Sequence, residues 1–176
     1  CCCFGCGIGK QTLLMAKAFP KASVVGFDIS KKSVAIAREK FTHVDNLQFD
    51  DQLPAQGCYD VILVANVFHH IPLEDRLEIL VDLKHRLKPD GRIVVFEHNP
   101  LNPLTRYTVN ACPFDADAVL VWPNAFIRLA RRVGIEVDQK RYIVFFPGFL
   151  KIFRRIESHL GWLPIGAQYM LTLKKM

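Results

Sequence analysis

Three alternating glycines, Gly5, Gly7 and Gly9, follow a β-prone run (Cys1 to Phe4) and precede a helical pattern. A strand that turns this tightly into a helix needs residues without Cβ atoms. The turn also brings backbone N–H groups and a helix N-terminus close to any ligand bound there. Further on, VVGFDIS (Val24 to Ser30) reads as a second strand ending in an acid, Asp28. That order matches a mononucleotide-binding βαβ half, in which the acid hydrogen-bonds ribose hydroxyls. A turn or cap aspartate is the alternative. A dinucleotide fingerprint, GxGxxG, needs glycine at position 10, where Lys10 stands. A second group, His69, His70, Glu97 and His98, falls at the C-terminal ends of two later strands, where ligands of open α/β sheets bind. A histidine there titrates near neutrality and can take a proton from an acceptor. Hydrogen bonding within the loop is the other role open to His69 and His70.

Strand and helix patterns alternate along the chain, which predicts an α/β domain with a parallel sheet. The expected elements begin with a strand over Cys1 to Phe4, a helix over Lys10 to Phe19 stopped by Pro20, and a strand over Val24 to Asp28. Ser30 is a plausible N-cap for a helix with Val34, Ala37 and Phe41 on one face. Leu47 to Asp50 reads as a short strand, and Tyr59 to Ala65 (YDVILVA) as a central strand covered on both faces. A helix over Leu73 to Leu87 has Leu73, Leu77, Leu80, Val81 and Leu87 as its apolar stripe. Pro89-Asp90-Gly91 predicts a turn before the strand Arg92 to Glu97. Residues 99–121 read as irregular. A helix from Pro123 to Gly134, a strand over Glu136 to Phe146, an excursion over Pro147 to Gly166 and a last strand over Ala167 to Leu173 complete the chain.

Composition narrows the class. The chain has 176 residues, of which 51% are apolar, which suits one domain with a sizeable core over residues 1–176. No apolar run reaches transmembrane length, and no signal peptide precedes the first strand, so a cytoplasmic location is expected. The chain opens without Met inside its first strand and reads as a fragment lacking its natural N-terminus. Cys1, Cys2, Cys3 and Cys6 crowd one strand and turn, while Cys58 and Cys112 are isolated. Neighbouring residues on a strand point to opposite faces and cannot bridge, and the single Cys3–Cys6 CxxC has no second pair. Free, mostly buried thiols are expected, with no metal. The net charge of +6 comes from the C-terminal part, where residues 126–176 carry ten basic and three acidic side chains. Such a surface suits anions or lipid headgroups, or is a solvated face. No aromatic-basic RNA-binding module accompanies it, so nucleic acid is not an expected partner.

The segment CFGCGIG (Cys3 to Gly9) resembles motif I of the class I S-adenosylmethionine-dependent methyltransferases, with Cys3 where that family has an Asp. The resemblance extends along the chain. ANVFHHI (Ala65 to Ile71) is similar to the family's motif IV, with the xHHI of its small-molecule enzymes, and LKPDGR (Leu87 to Arg92) to its LKPGG turn. It implies a Rossmann-like, doubly wound sheet of seven strands, the last inserted antiparallel between the fifth and sixth. It implies S-adenosylmethionine as cofactor, held by Phe4, Gly5, Cys6, Gly7 and Gly9, by Asp28 and Ile29 at the ribose, by Asp50 or Asp51 at the adenine amino group, and by Asn66 beside the methionine portion. The implied reaction is methyl transfer to a small or lipid-like acceptor, with His69, His70, Glu97 and His98 as the candidate catalytic groups. A nicotinamide-dependent Rossmann oxidoreductase and a cofactor-binding relic without activity are the alternatives. Lys10 and the final return strand disfavour the first, and Cys3 in place of Asp keeps the second open.

The acceptor side is expected along the rim after the fifth strand, where Asn99, Asn102, Arg106 and Tyr107 lie, and along Phe146 to Phe153. In that excursion Phe149, Ile152, Phe153, Ile156 and Leu160 share one helical face, with Lys151, Arg154 and Arg155 largely off it. Such a helix caps a greasy substrate, rests on a membrane surface, or covers a sheet edge.

Overall fold

The computed structural model describes residues 1–53 and 59–176, so Pro54 and Cys58 lie outside the described residues, as do the side chains of Phe114 and Phe149. Seven strands, β1 (Cys2–Phe4), β2 (Val24–Phe27), β3 (Leu47–Asp50), β4 (Tyr59–Ala65), β5 (Leu87–His98), β6 (Ile135–Ile143) and β7 (Gln168–Lys175), form one sheet in the order β3-β2-β1-β4-β5-β7-β6. Strands β1 to β5 pair in parallel, while β7 runs antiparallel between β5 and β6. This is the expected doubly wound sheet with its last strand reversed.

Helices α1 (Lys10–Ala18) and α2 (Lys31–Lys40) follow β1 and β2, and α3 (Arg76–Arg86), α4 (Pro103–Ala111), α5 (Pro123–Arg132) and α6 (Glu157–Leu160) complete the set among the described residues. Ser30 caps α2 as expected, its hydroxyl accepting the Ser33 N–H at 3.2 Å. Side-chain alternation along β1 divides the core. Cys2 and Phe4 join the larger cluster of β4, β5, β7, α3 and α5, whereas Cys3 faces α1 and α2 with Cys6, Met15, Val34 and Phe49.

Four expectations need correction. Pro89-Asp90-Gly91 does not end the helix with a turn before a separate strand. It lies within β5, as surplus residues where the β4–β5 register jumps from Tyr59↔Leu87 to Val61↔Arg92. A bulge uses the same residue types as a turn. Residues 99–121 are not irregular throughout. Asn102 caps α4 through its Oδ1, which accepts the Thr105 N–H at 3.0 Å, and Pro103 takes the first helical position, where its missing N–H costs nothing. Leu73 is exposed, because α3 begins three residues later, and Leu83 takes its place in the buried stripe. The excursion after β6 forms a 3₁₀ segment (Gly148–Ile156) broken at Leu150 and then α6, rather than one continuous helix.

Candidate functional site

The strand order reverses direction between β1 and β4, and loops leave the C-terminal ends of such neighbours in opposite directions, opening a crevice. A cavity of about 470 Å³ lies there. Its walls are Phe4 and Gly5 at the end of β1, Phe27, Asp28 and Ile29 at the end of β2, Leu53 after β3, Asn66, Val67, His70 and Ile71 after β4, and Ile79 and Asp82 on α3. The walls are mostly apolar with a few polar groups, the usual composition of a small-molecule site.

The glycine turn and the β2 acid are physically joined. The Gly7 N–H donates to Asp28 Oδ2 at 2.7 Å, and the Ser30 N–H donates to Asp28 Oδ1 at 2.9 Å. Gly7 has φ +53°, and Gly5 has φ +69° with a Cβ position only 2.5 Å from Val67 Cγ2. An alanine at position 5 would therefore be strained and would push the β4 loop away. Asn66 also adopts positive φ, at 56°, a conformation its short amide side chain tolerates. Its N–H donates to the Phe96 carbonyl at 2.8 Å, and its Oδ1 accepts from Gln168 Nε2 at 3.2 Å, so the end of β4 is tied to both β5 and β7.

The histidine turn is built on the same loop. Phe68, Phe126 of α5 and their edge-on contact (centroids 4.7 Å apart, 71° between planes) anchor the 3₁₀ turn Phe68–His70 in the core. Glu97, 1% exposed, accepts the Val67 N–H at 3.0 Å and the Phe68 N–H at 2.7 Å on Oε1, and lies 2.6 Å from His69 Nδ1 on Oε2. An ionised carboxylate only accepts, so His69 carries its proton on Nδ1 and turns Nε2 outward. There it lies 3.6 Å from Asp115 Oδ1, and His70 Nε2 lies 3.5 Å from the same oxygen. The His98 ring sits 5.0 Å from that of His69. Burial holds the pKa of both His70 and His98 below the usual histidine range.

Of the residues expected at the site, Phe4, Gly5, Asp28, Ile29, Asn66 and His70 line the cavity. Cys6, Gly7, Gly9, Asp50, Asp51, His69, Glu97 and His98 do not. Cys6 is buried under the turn, and Asp50 Oδ1 accepts the Gln52 N–H at 3.1 Å and lies 3.8 Å from Arg38 Nη2. Cys3 faces away from the cavity toward the Thr12 hydroxyl, and burial pushes its thiol up to about 11.

The expected acceptor walls are displaced. Among the described residues, none of 99–107 or 146–165 lines the cavity. Asn99 donates to the Pro164 and Gly166 carbonyls, and Asn102 to Ile165. These side chains fasten the excursion to the rim instead of facing a ligand. The excursion itself packs on the outer edge strand, where Tyr142 N–H meets the Gly161 carbonyl and Arg141 Nη2 the Ser158 carbonyl. It covers a sheet edge, as the plainer reading of its helical face has it.

Sequence reasoning missed Phe27, Leu53, Val67, Ile71, Ile79 and Asp82 in the cavity wall, and Asp115 beside the histidines. Ile79 and Asp82 stand three apart on one helix, a spacing that puts them on a shared face. Asp115 carries no local signal, because its approach to His69 depends on the path of the chain after α4.

A family model described as a methyltransferase domain matches residues 3–93, just over half of the chain. The malonyl-[acyl-carrier protein] O-methyltransferase of Halalkalibacterium halodurans is 30% identical over 145 residues, which cover 78% of this chain and 46% of that protein. The trans-aconitate 2-methyltransferase of Azoarcus sp. is 32% identical over 92 residues, covering 52% and 36%. The chain thus spans less than half the length of these curated relatives. Among solved structures, mitomycin 7-O-methyltransferase superposes with a TM-score of 0.76 at 17% identity, over 99% of this chain and 48% of that one. Magnesium protoporphyrin IX methyltransferase from Synechocystis PCC 6803 does so with a TM-score of 0.69 at 20% identity, over 99% and 73%. With the family model matching half of the chain and the seventh strand reversed in the sheet, the chain belongs to the class I S-adenosylmethionine-dependent methyltransferase family.

Proposed function

We propose that this chain binds S-adenosylmethionine in the cavity between β1, β2 and β4 and transfers its methyl group to a small-molecule acceptor. The observation that carries this reading is the Asp28 carboxylate, held by the Gly7 and Ser30 N–H groups at the wall of that cavity. The residues fit the cofactor. The volume of about 470 Å³ lies within the ~300–1,000 Å³ of small-molecule sites. Asp28 presents a carboxylate for ribose hydroxyls, Phe4, Phe27, Ile29 and Leu53 supply apolar walls for a purine, and Gly5 and Asn66 border the side toward β4.

When bound, the sulfonium of the cofactor supplies an already activated methyl group. The chain's own contribution is then placement and proton handling. Apolar walls exclude water, and an in-line displacement chiefly requires the acceptor to be held in reach. Among the candidate catalytic groups, only His70 lines the cavity, and its lowered pKa keeps it neutral and able to accept a proton near pH 7. His69 and Glu97 act as positioning groups, with Glu97 fixing the turn through two backbone N–H groups and one imidazole. Two relatives are named for malonyl and trans-aconitate acceptors, both acids, which makes small carboxylic acids the first acceptors to try.

The test is a transfer assay with methyl-labelled S-adenosylmethionine and a panel of small carboxylic acids and thioesters. Acceptor-dependent release of S-adenosylhomocysteine supports the reading. Saturable cofactor binding with no transfer to any acceptor in the panel would replace it with a cofactor-binding relic.

A further inference from the structure

We infer that His69, His70 and Asp115 form a binding site for a divalent transition-metal ion, with zinc as the best match, beside the cofactor cavity. The inference does not depend on methyl transfer. One ligand atom from each of His69, His70 and Asp115 lies within 4.8 Å of the others, and Asp115 Oδ1 is 3.6 Å from His69 Nε2 and 3.5 Å from His70 Nε2. Zinc bonds of about 2.0–2.2 Å to imidazole nitrogen and carboxylate oxygen place tetrahedral ligand pairs about 3.3–3.5 Å apart. The two separations from Asp115 therefore match those of ligands sharing one ion. They exceed the 2.7–3.2 Å range of direct N–H···O hydrogen bonds.

The surroundings supply what a metal site requires beyond its ligands. Glu97 Oε2 lies 2.6 Å from His69 Nδ1, a carboxylate–histidine pair that orients the ring and leaves Nε2 free to ligate. Two strands of chain meet here, and both are clamped. Val119 N–H donates to the His69 carbonyl at 2.8 Å. Arg76, 4% exposed, donates from Nε to the Ile71 carbonyl at 2.9 Å and from Nη2 to the Val119 carbonyl at 2.8 Å. The ligands are thus positioned before any ion arrives.

The ligand set and its exposure indicate the role. Nitrogen and oxygen donors without thiolate suit zinc and its first-row neighbours rather than magnesium or calcium. Three protein ligands leave a fourth tetrahedral position open, the arrangement of catalytic and not structural zinc. His69 is buried, whereas His70 is half exposed and lines the cofactor cavity. With its Nε2 on the ion His70 would not take up a proton, and the open position suits a carboxylate or hydroxyl oxygen of a small molecule in the cavity.

Cobalt(II) reports on such a site directly. The chain, stripped with a chelator, should bind one equivalent of cobalt with visible absorption of a four- or five-coordinate nitrogen–oxygen site and no intense thiolate-to-metal band in the near ultraviolet. Zinc should displace it stoichiometrically. Asp115→Asn and His70→Gln, both at partly exposed side chains, and Glu97→Gln, which moves the His69 proton onto Nε2, should each weaken zinc by about 10–100-fold or more. Circular dichroism establishes that each variant is folded. An intense thiolate band would place the metal on the cysteines, and unchanged affinity in folded Asp115→Asn and His70→Gln would place it elsewhere. Either result, or no binding at all by the unsubstituted chain, overturns the inference.

Discussion

The Gly7 N–H donates to Asp28 Oδ2 at 2.7 Å, so the glycine turn after β1 is latched to the acid at the end of β2. The same carboxylate accepts the Ser30 N–H at the entrance to α2. One side chain therefore sets the conformation of two loops and presents its charge to the cavity between them.

Asp28→Ala is expected to remove both latches and the carboxylate together. Hydrogen bonds to a charged group contribute roughly 1.5–3 kcal/mol each. Affinity for S-adenosylhomocysteine should fall at least tenfold by calorimetry, with a smaller loss in melting temperature. Asp28→Asn keeps an acceptor for one N–H and should melt closer to the unsubstituted chain while still binding poorly. Normal binding by either variant would reduce Asp28 to a turn residue.

The thiols of Cys2, Cys3 and Cys6 are pushed up by burial, to about 12, 11 and 12. Thiolate is the reactive form. In a Cys58→Ser background, a disulfide reagent at pH 8 should titrate Cys1 and Cys112 rapidly, and the other three only after unfolding. The same shifts fix the sign of an alkaline effect. A thiol that ionises near pH 9 when unfolded but higher when folded holds its proton longer in the native state. Its contribution is complete below pH 9 and is lost as pH rises toward 11–12. Melting temperature should therefore decline across that window, and rapid native labelling of all three buried thiols would contradict the packing.

Glu97→Gln is expected to reverse a proton. The glutamine oxygen can still accept the Val67 and Phe68 N–H groups, but its amide nitrogen donates to His69 Nδ1. His69 must then carry its proton on Nε2, toward Asp115. Nitrogen-15 NMR of the imidazole distinguishes the two tautomers. Glu97→Ala leaves two buried N–H groups without an acceptor, each costing about 1–3 kcal/mol, and should be much the less stable of the two variants. An unchanged tautomer in Glu97→Gln would mean that Glu97 does not orient His69.

The sheet was legible because its information is local. Apolar strands such as YDVILVA, capped helices and the glycine turn each announce themselves within a few residues, and the reversed last strand followed from family resemblance. Much of the cavity wall was legible too, at Phe4, Gly5, Asp28, Ile29 and Asn66. What escaped depended on position in space. The stretch 99–121 reads as irregular until Asn102 is seen capping a helix that opens at Pro103. The aromatic excursion reads either as a substrate cover or as a sheet-edge cover, and only its hydrogen bonds to Arg141 and Tyr142 show that it sits on the outer edge strand. Asp115 reaches the histidines only through long-range ties such as Val119 N–H to the His69 carbonyl.

Thermal unfolding of this chain with S-adenosylhomocysteine and with NAD, side by side, tests the central claim most directly. A ligand that binds only the folded state adds RT ln(1 + [L]/Kd) to stability, about 2.7 kcal/mol at a hundredfold excess over Kd. The Asp28-latched cavity predicts a concentration-dependent rise in melting temperature with S-adenosylhomocysteine, no change with NAD, and loss of the rise in Asp28→Ala. A rise with NAD and none with S-adenosylhomocysteine would contradict it.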